Sequence, residues 1–232
     1  MHVDVAFAPE LAKPAPTAVV IDVLRATSTI AQALDAGYER VQCCVGVDDA
    51  RALRDELGHG VLAGERQCVR IPGFDLGNSP REFLEPADQV AILTTTNGTR
   101  ALVAAAERCD LVFAASLSNL GAVATAVLGV GRDVSIVCAG VEGAFATDDA
   151  YCAGLLVTLL EGERTDAADA AVRLYESFET AEDGLRASQS GRNLLAAELE
   201  EDIAWCARVD SLAVVPRVAR TTALAVEITA QG

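Results

Sequence analysis

Histidine is almost absent from this sequence, with His2 and His59 the only two. His2 lies beside the first residue and His59 between two glycines, so chemistry built on an imidazole acid or base is not expected. No cysteine is followed six residues later by arginine, which excludes the cysteine-phosphatase loop. The D-x-D-x-T pattern of haloacid dehalogenases fails at Asp22, because Leu24 stands where the second aspartate would be. Neither a Walker A motif nor G-x-G-x-x-G occurs, so the common nucleotide cradles are missing. No His/Cys cluster suggests zinc.

Lysine is as scarce: Lys13 is the only one, and the rest of the 18 basic residues are arginine. Against 34 acids this leaves a net charge of −16. Such a surface repels nucleic acid and anionic membranes, and both are rejected as partners. It also repels an anionic substrate, so a site for one needs a local gathering of arginine, metal and backbone N–H groups. An acid-rich, lysine-poor surface fits a high-salt cytoplasm, and arginine over lysine follows from a GC-rich genome; both origins stay open.

Aromatics are 4% of residues, yet 51% are hydrophobic. The core is therefore expected to be mostly Ala, Val, Leu and Ile. The seven cysteines include no C-x-x-C pair and mostly sit in apolar runs, as in "VQCCV"; buried, reduced thiols are expected. The first residues carry neither a basic region nor an apolar run of leader type. No apolar stretch reaches membrane-spanning length. The expected compartment is the cytoplasm, and a homo-oligomer is left open.

What is present is a regular alternation. "TAVVIDVL" (17–24), "RVQCCV", "QVAILTT", "LVFAAS" and "DVSIVCAG" read as strands. Each is followed by an Ala/Leu-rich segment with helical spacing. This predicts an α/β fold, layered α/β/α, with a largely parallel or mixed sheet. Residues 164–208 read as helical throughout, and "LAVVPRV" and "ALAVEIT" as two closing strands. The stretch 64–83 reads as long and irregular, the kind of segment that is usually functional. The expectation is one unit over 1–232, with two α/β lobes (about 1–115 and 116–232) and the site between them as the alternative division.

In parallel α/β sheets ligands bind at the carboxyl ends of strands, where helix N-termini point their N–H groups. At the first junction, "IDVLRATST", Asp22 offers a carboxylate suited to Mg²⁺. Arg25 offers a fork for phosphate or carboxylate, and Thr27 opens the helix. A buried Asp22–Arg25 pair with Thr27 as cap explains the same residues. At "LTTTNGTRAL", Asn97, Gly98, Thr99 and Arg100 could cradle an anion or simply cap a helix. In "CAGVEGAFATDDAYCAG", Asp148 and Asp149 could join Asp22 around Mg²⁺, or merely suit a helix dipole. "SQSGRNLL" supplies Ser190, Gly191 and Arg192. The long stretch adds Glu65, Arg66, Arg70, Asp75, Asn78 and Arg81.

The blocks "VVIDVLRATSTI", "GERxxxxIPGFDLGNSPREF", "TTTNGTRAL", "CAGxxGxFATDDxYCAG", "SxSGRNL" and "DIxxCARVDSLAVVPRV" occur in order over about 19–218. Together they resemble the 2-phosphosulfolactate phosphatase family. The resemblance implies an α/β, Mg²⁺-dependent phosphatase that converts 2-phospho-3-sulfolactate to sulfolactate and phosphate, a step of coenzyme M biosynthesis. It carries over Asp22, Arg25, Glu65, Asp75, Asn97, Thr99, Arg100, Asp148, Asp149, Ser190 and Arg192. The expected arrangement is Mg²⁺ on Asp22, Asp148 and Asp149, with Arg25, Arg100 and Arg192 against the anionic groups. Asp75 or Glu65 would orient water or protonate the leaving group. Direct attack by water and an aspartyl-phosphate on Asp22 are both open. A non-catalytic binding protein for a small phosphorylated or dicarboxylate metabolite is the alternative from another class.

Overall fold

The computed structural model describes residues 1–231. The chain runs β1 (His2–Ala6), β2 (Thr17–Ile21), α1 (Ala26–Asp35), β3 (Arg40–Cys43), α2 (Val47–Leu57), β4 (Val61–Arg66) and β5 (Val69–Arg70). It continues through β6 (Val90–Thr94), α3 (Gly98–Ala106), β7 (Leu111–Ala115), α4 (Leu120–Val130), β8 (Val134–Cys138), α5 (Thr147–Leu159) and β9 (Glu163–Arg164). Helices α6 (Asp166–Glu176), α7 (Ala181–Ala187), α8 (Gln189–Ala196) and α9 (Glu200–Cys206) precede β10 (Pro216–Thr221) and β11 (Val226–Ala230). The single helical reading of 164–208 therefore resolves into four helices. Their breaks are set by side-chain caps, with Thr165, Thr180 and Ser188 accepting from backbone N–H groups of α6, α7 and α8.

The eleven strands among the described residues form one sheet, in the order β5-β4-β6-β3-β11-β10-β7-β2-β8-β1-β9. Strands β4, β6 and β3 are mutually parallel, as are β7, β2, β8, β1 and β9. The antiparallel hairpin β10–β11 lies between these two sets, pairing β10 with β7 and β11 with β3. The two strands expected to close the fold thus join its middle. Strands from both halves of the chain interleave in the sheet.

Every residue of β2 is buried, which suits an unbroken apolar run rather than an alternating one. Its side chains divide between two cores. Val19 and Ile21 pack with Phe113, Ile136, Leu120 and Leu156 under the helices from α4 onward. Ala18 and Val20 pack with Ile30 of α1 and Leu102 of α3 on the other face. Helix α2 places Leu53 over Leu62 and Ile92. The result is the layered α/β/α arrangement, with few aromatics needed because aliphatic side chains fill both cores. Burying each such Val, Leu or Ile contributes ~1.5–3 kcal/mol.

The stretch 64–83 is less irregular than its sequence suggests. It begins inside β4, turns through β5 and ends on a short 3₁₀ turn, Pro80–Glu82. Gly64 has φ 150°, and a Cβ there would stand 2.0 Å from the Thr94 carbonyl oxygen. Only glycine permits β4 and β6 to approach so closely at their tips. All seven cysteines are free thiols. Among the described residues no helix is long and apolar enough to cross a membrane.

Candidate active site

The carboxyl ends of β2, β4, β6 and β8 surround one cleft, with about 570 Å³ of open space. Asp22 and Arg25 reach it from the β2–α1 turn, Glu65 from β4, Asn97 from the β6–α3 turn and Ser190 from α8. Asn78 and Glu142 also line it.

Asp22 follows directly on β2 and is 7% exposed. Its Oδ1 accepts from the Ala26 backbone N at 3.2 Å, at the opening of α1. Burial, then the nearby charges of Asp148 and Glu65, push its carboxyl up to about 7. Asp148, on the first turn of α5, is 1% exposed and pushed up to about 6 by burial. Ser190 Oγ donates to its Oδ1 at 3.1 Å, so Asp148 stands immediately behind the cleft wall. The start of α3 presses against the other side of Asp22: a Cβ on Gly98 would be 2.4 Å from Asp22 Oδ2 and 2.4 Å from Ala26 Cβ. Gly98 is thus a close-approach residue, with bare backbone beside the carboxylate.

Asp149 has a different task from its neighbour. Its Oδ1 accepts from Val23 N and its Oδ2 from Gly140 N, each at 2.9 Å. Both oxygens are occupied in joining the ends of β2 and β8, and burial with the charge of Asp148 drives its pKa upward. Asp148, with Ser190 on its Oδ1, is the acid whose charge weighs most on Asp22. Glu65 is also buried and held firmly: Oε1 accepts from Thr96 N and Oγ1 at 2.8 and 3.0 Å, and Oε2 from Cys68 N at 2.9 Å.

The arginines are not all gathered. Arg25 is 4% exposed and lines the cleft. Its partner is not Asp22 but Asp202 of α9, whose Oδ2 lies 2.6 Å from Nη1. Arg100 is exposed and borders an adjoining hollow that shares Thr96, Asn97 and Glu142 with the cleft. Arg192 turns back toward the α7–α8 junction, donating to Ala187 O at 2.6 Å and Gln189 Oε1 at 2.9 Å. Asp75 is likewise outside the cleft: its side chain is 52% exposed, accepts from Leu62 N at 2.8 Å and lies 3.7 Å from Arg54. Phe74 and Ile71 draw that end of the stretch into the α2 core instead.

The remaining expected residues shape the walls. Thr27 Oγ1 accepts from Asp22 N at 2.9 Å and donates to Asp22 O at 2.8 Å, fixing the main chain of Asp22. Thr99 and Thr95 exchange hydrogen bonds at 3.2 Å, closing the first turn of α3. Asn97 Oδ1 accepts from Glu142 N at 3.1 Å and ties this turn to the β8–α5 connection. A Cβ on Gly191 would meet Leu185 O at 2.1 Å, so this glycine serves the packing of α8 on α7.

Sequence reasoning passed over Asp202, which reads as one of three acids opening a helix. It noted Asn78 without carrying it into the site. Asn78 Oδ1 is buried without a hydrogen-bond partner, a state that buried polar groups rarely tolerate.

The donor set suits Mg²⁺. Asp22 and Asp148 are hard oxygen donors, and burial raises both carboxyls. Arg25, the one arginine in the wall, is already neutralised by Asp202. No three His, Cys, Asp or Glu side chains stand in ligating geometry among the described residues. Mg²⁺ in general is bound through one or two carboxylates, with water and phosphate oxygens as its other ligands.

The 2-phosphosulpholactate phosphatase family model matches residues 6–221. Relatives named "Probable 2-phosphosulfolactate phosphatase" share this similarity along nearly their whole length. The Carboxydothermus hydrogenoformans protein is 38% identical over 224 residues, covering 93% of this chain and 92% of the relative. The Synechococcus sp. (strain JA-3-3Ab) protein is 42% identical over 232 residues, with 94% and 96% covered. The Thermus thermophilus protein is 39% identical over 223 residues, with 93% of each covered.

Proposed function

Because this chain belongs to the 2-phosphosulpholactate phosphatase family, and so to the phosphoric monoester hydrolases, we propose that it hydrolyses 2-phospho-3-sulfolactate, or a similar small anionic 2-phospho acid, with Mg²⁺. The products are sulfolactate and phosphate, as coenzyme M biosynthesis requires. The observation that carries this reading is the meeting of buried Asp22, Asp148 and Arg25 at the carboxyl end of the sheet.

Asp22 and Asp148 are the residues that would hold Mg²⁺, which when bound neutralises charge on a phosphoryl oxygen. Arg25 takes a second phosphoryl oxygen with the N–H groups not engaged by Asp202 and Cys68. The helix openings of α1 and α3, on either side of Asp22, add fixed positive dipoles. These groups perform the main task of phosphoryl transfer, which is positioning and charge stabilisation. Water attacks phosphorus as the bond to the alkyl oxygen breaks. Glu65, oriented by Thr96 and Cys68, takes the water's proton and returns it to the departing alkoxide.

Phosphate release from phosphosulfolactate, phospholactate, phosphoglycolate and phosphoglycerate, with Mg²⁺ and with EDTA, tests this. Phosphosulfolactate should turn over fastest, and EDTA should abolish release. Activity untouched by EDTA would remove the metal, and no release from any ester would remove the function. With an ester chiral at phosphorus, direct attack by water should invert configuration; retention would instead mean two displacements through an aspartyl-phosphate.

A further inference from the structure

Arg25 projects from the β2–α1 turn that also carries Asp22, yet its ion pair is not with that acid. Its fixed partner comes from 177 positions further along the chain. Asp202 lies on the first turn of α9 and is fully buried. Its Oδ2 accepts from Arg25 Nη1 at 2.6 Å, and its Oδ1 accepts from Ser79 Oγ at 2.6 Å. Arg81 Nη1 stands 3.8 Å from the same Oδ1 and pairs through Nη2 with Glu201. Arg25 Nη2 donates to the Cys68 carbonyl at 3.3 Å. Two of the guanidinium's nitrogens are thus anchored, while Arg25 still forms part of the cleft wall. A guanidinium carries five N–H donors in a rigid plane, so fixing one edge sets where the others point.

We propose that Asp202, steadied by Ser79, is the positioning residue that aims the Arg25 guanidinium at the phosphoryl oxygens in the cleft. A purely structural ion pair would be a poor use of this site. Buried pairs often stabilise a fold no more than apolar side chains of the same volume. The geometry gives this pair a second task, because its cationic member faces the ligand space and its anionic member does not. Helix α9 and the 3₁₀ turn at Pro80–Glu82 thereby take part in the chemistry without touching substrate. This inference rests on the cleft being a phosphate-ester site.

The test is a double-mutant cycle on the Mg²⁺-loaded protein with Asp202→Asn, Arg25→Ala and both together. It reads kcat and KM for phosphosulfolactate and, separately, calorimetric affinity for inorganic phosphate. Asp202→Asn should lower kcat/KM by ~10–100-fold, the usual effect of losing a residue that orients a ligand-binding group. The double variant should be no worse than Arg25→Ala alone. Added guanidinium ion should rescue Arg25→Ala, and at higher concentration only when Asp202→Asn is also present. A folded Asp202→Asn protein with unchanged kcat/KM would overturn the proposal, and so would losses that multiply in the double variant. If Asp202→Asn fails to fold, Ser79→Ala decides: its loss should vanish in the Arg25→Ala background, and persistence there refutes the coupling. Should wild type release phosphate from no ester, the phosphatase reading fails by itself. Phosphate affinity that falls with Asp202→Asn only when Arg25 is present would still support the positioning, and affinity that ignores Asp202 would end it.

Discussion

Replacing Gly98 with alanine should damage activity more than its single methyl group suggests. The new Cβ would stand 2.4 Å from Asp22 Oδ2 and 2.4 Å from Ala26 Cβ. Ordinary C···O contact is ~3.3–3.6 Å, so about 1 Å of movement must come from the Asp22 carboxylate or from the opening of α1 or α3. Overpacking of this kind costs ~1–3 kcal/mol. At ~2–4 °C per kcal/mol for a chain of this size, the thermal midpoint should fall by ~2–12 °C. A reacting group displaced by ~1 Å loses ~100-fold in rate, so kcat/KM should fall by about that factor in the folded fraction. Gly154→Ala is the control: its Cβ would meet the Ala171 carbonyl oxygen at 2.1 Å, in the contact between α5 and α6. It should lower the midpoint similarly while leaving kcat/KM of the folded enzyme unchanged. Scanning calorimetry and phosphate release on the same preparations measure both quantities. Full kcat/KM in a destabilised Gly98→Ala enzyme would refute the placement of Asp22 at the reacting centre.

Other outcomes follow from the same geometry. The raised carboxyls of Asp22 and Asp148, at about 7 and about 6, bind protons more tightly folded than unfolded, where the reference is ~3.9. Their contribution to the stability of the metal-free protein is therefore full below the unfolded pKa and is lost as pH rises through the folded values. Mg²⁺ should then raise the thermal midpoint more at pH 8 than at pH 5.5; an equal rise at both would contradict a metal on these acids. Asp75→Asn and Arg192→Ala should keep wild-type kcat/KM, because both side chains point away from the cleft. A loss of about tenfold, ~1.4 kcal/mol of barrier, in either folded variant would return that residue to the site.

The sequence shows β2 and its junction plainly, because an unbroken Thr-Ala-Val-Val-Ile run ends at an aspartate and a helix opens four residues later. Strand β4 is obscured by Gly64 within it, which reads as the start of a loop. Strand β1 hides in the opening residues, where polar side chains interrupt a short apolar pattern. Hydrophobic pattern tells which face of a strand is buried but not its neighbours. The β10–β11 hairpin is therefore visible as two strands, while its place between β7 and β3 is not. The same division holds in the cleft. Asp22 and Asp148 stand out as acids beside apolar strands, but Asp148 and Asp149 are equivalent until the backbone N–H groups of Val23 and Gly140 claim the second. Arg192 looks as suitable as Arg25 until helix phase turns it outward. Asp202 resembles an ordinary first-turn acid, and only a contact across the fold reveals its partner.

Mg²⁺-dependent phosphate release by Asp22→Asn, measured against wild type with phosphosulfolactate, tests the role of the buried acids most directly. The variant keeps the size of the side chain and removes a buried charge, so it should fold and show a thermal midpoint no lower than that of the metal-free wild type. Its turnover should fall by ~10²–10³, the scale of losing one group that stabilises charge in the transition state. Near-normal turnover in that folded, Mg²⁺-supplied protein would place the chemistry somewhere other than the Asp22 cleft.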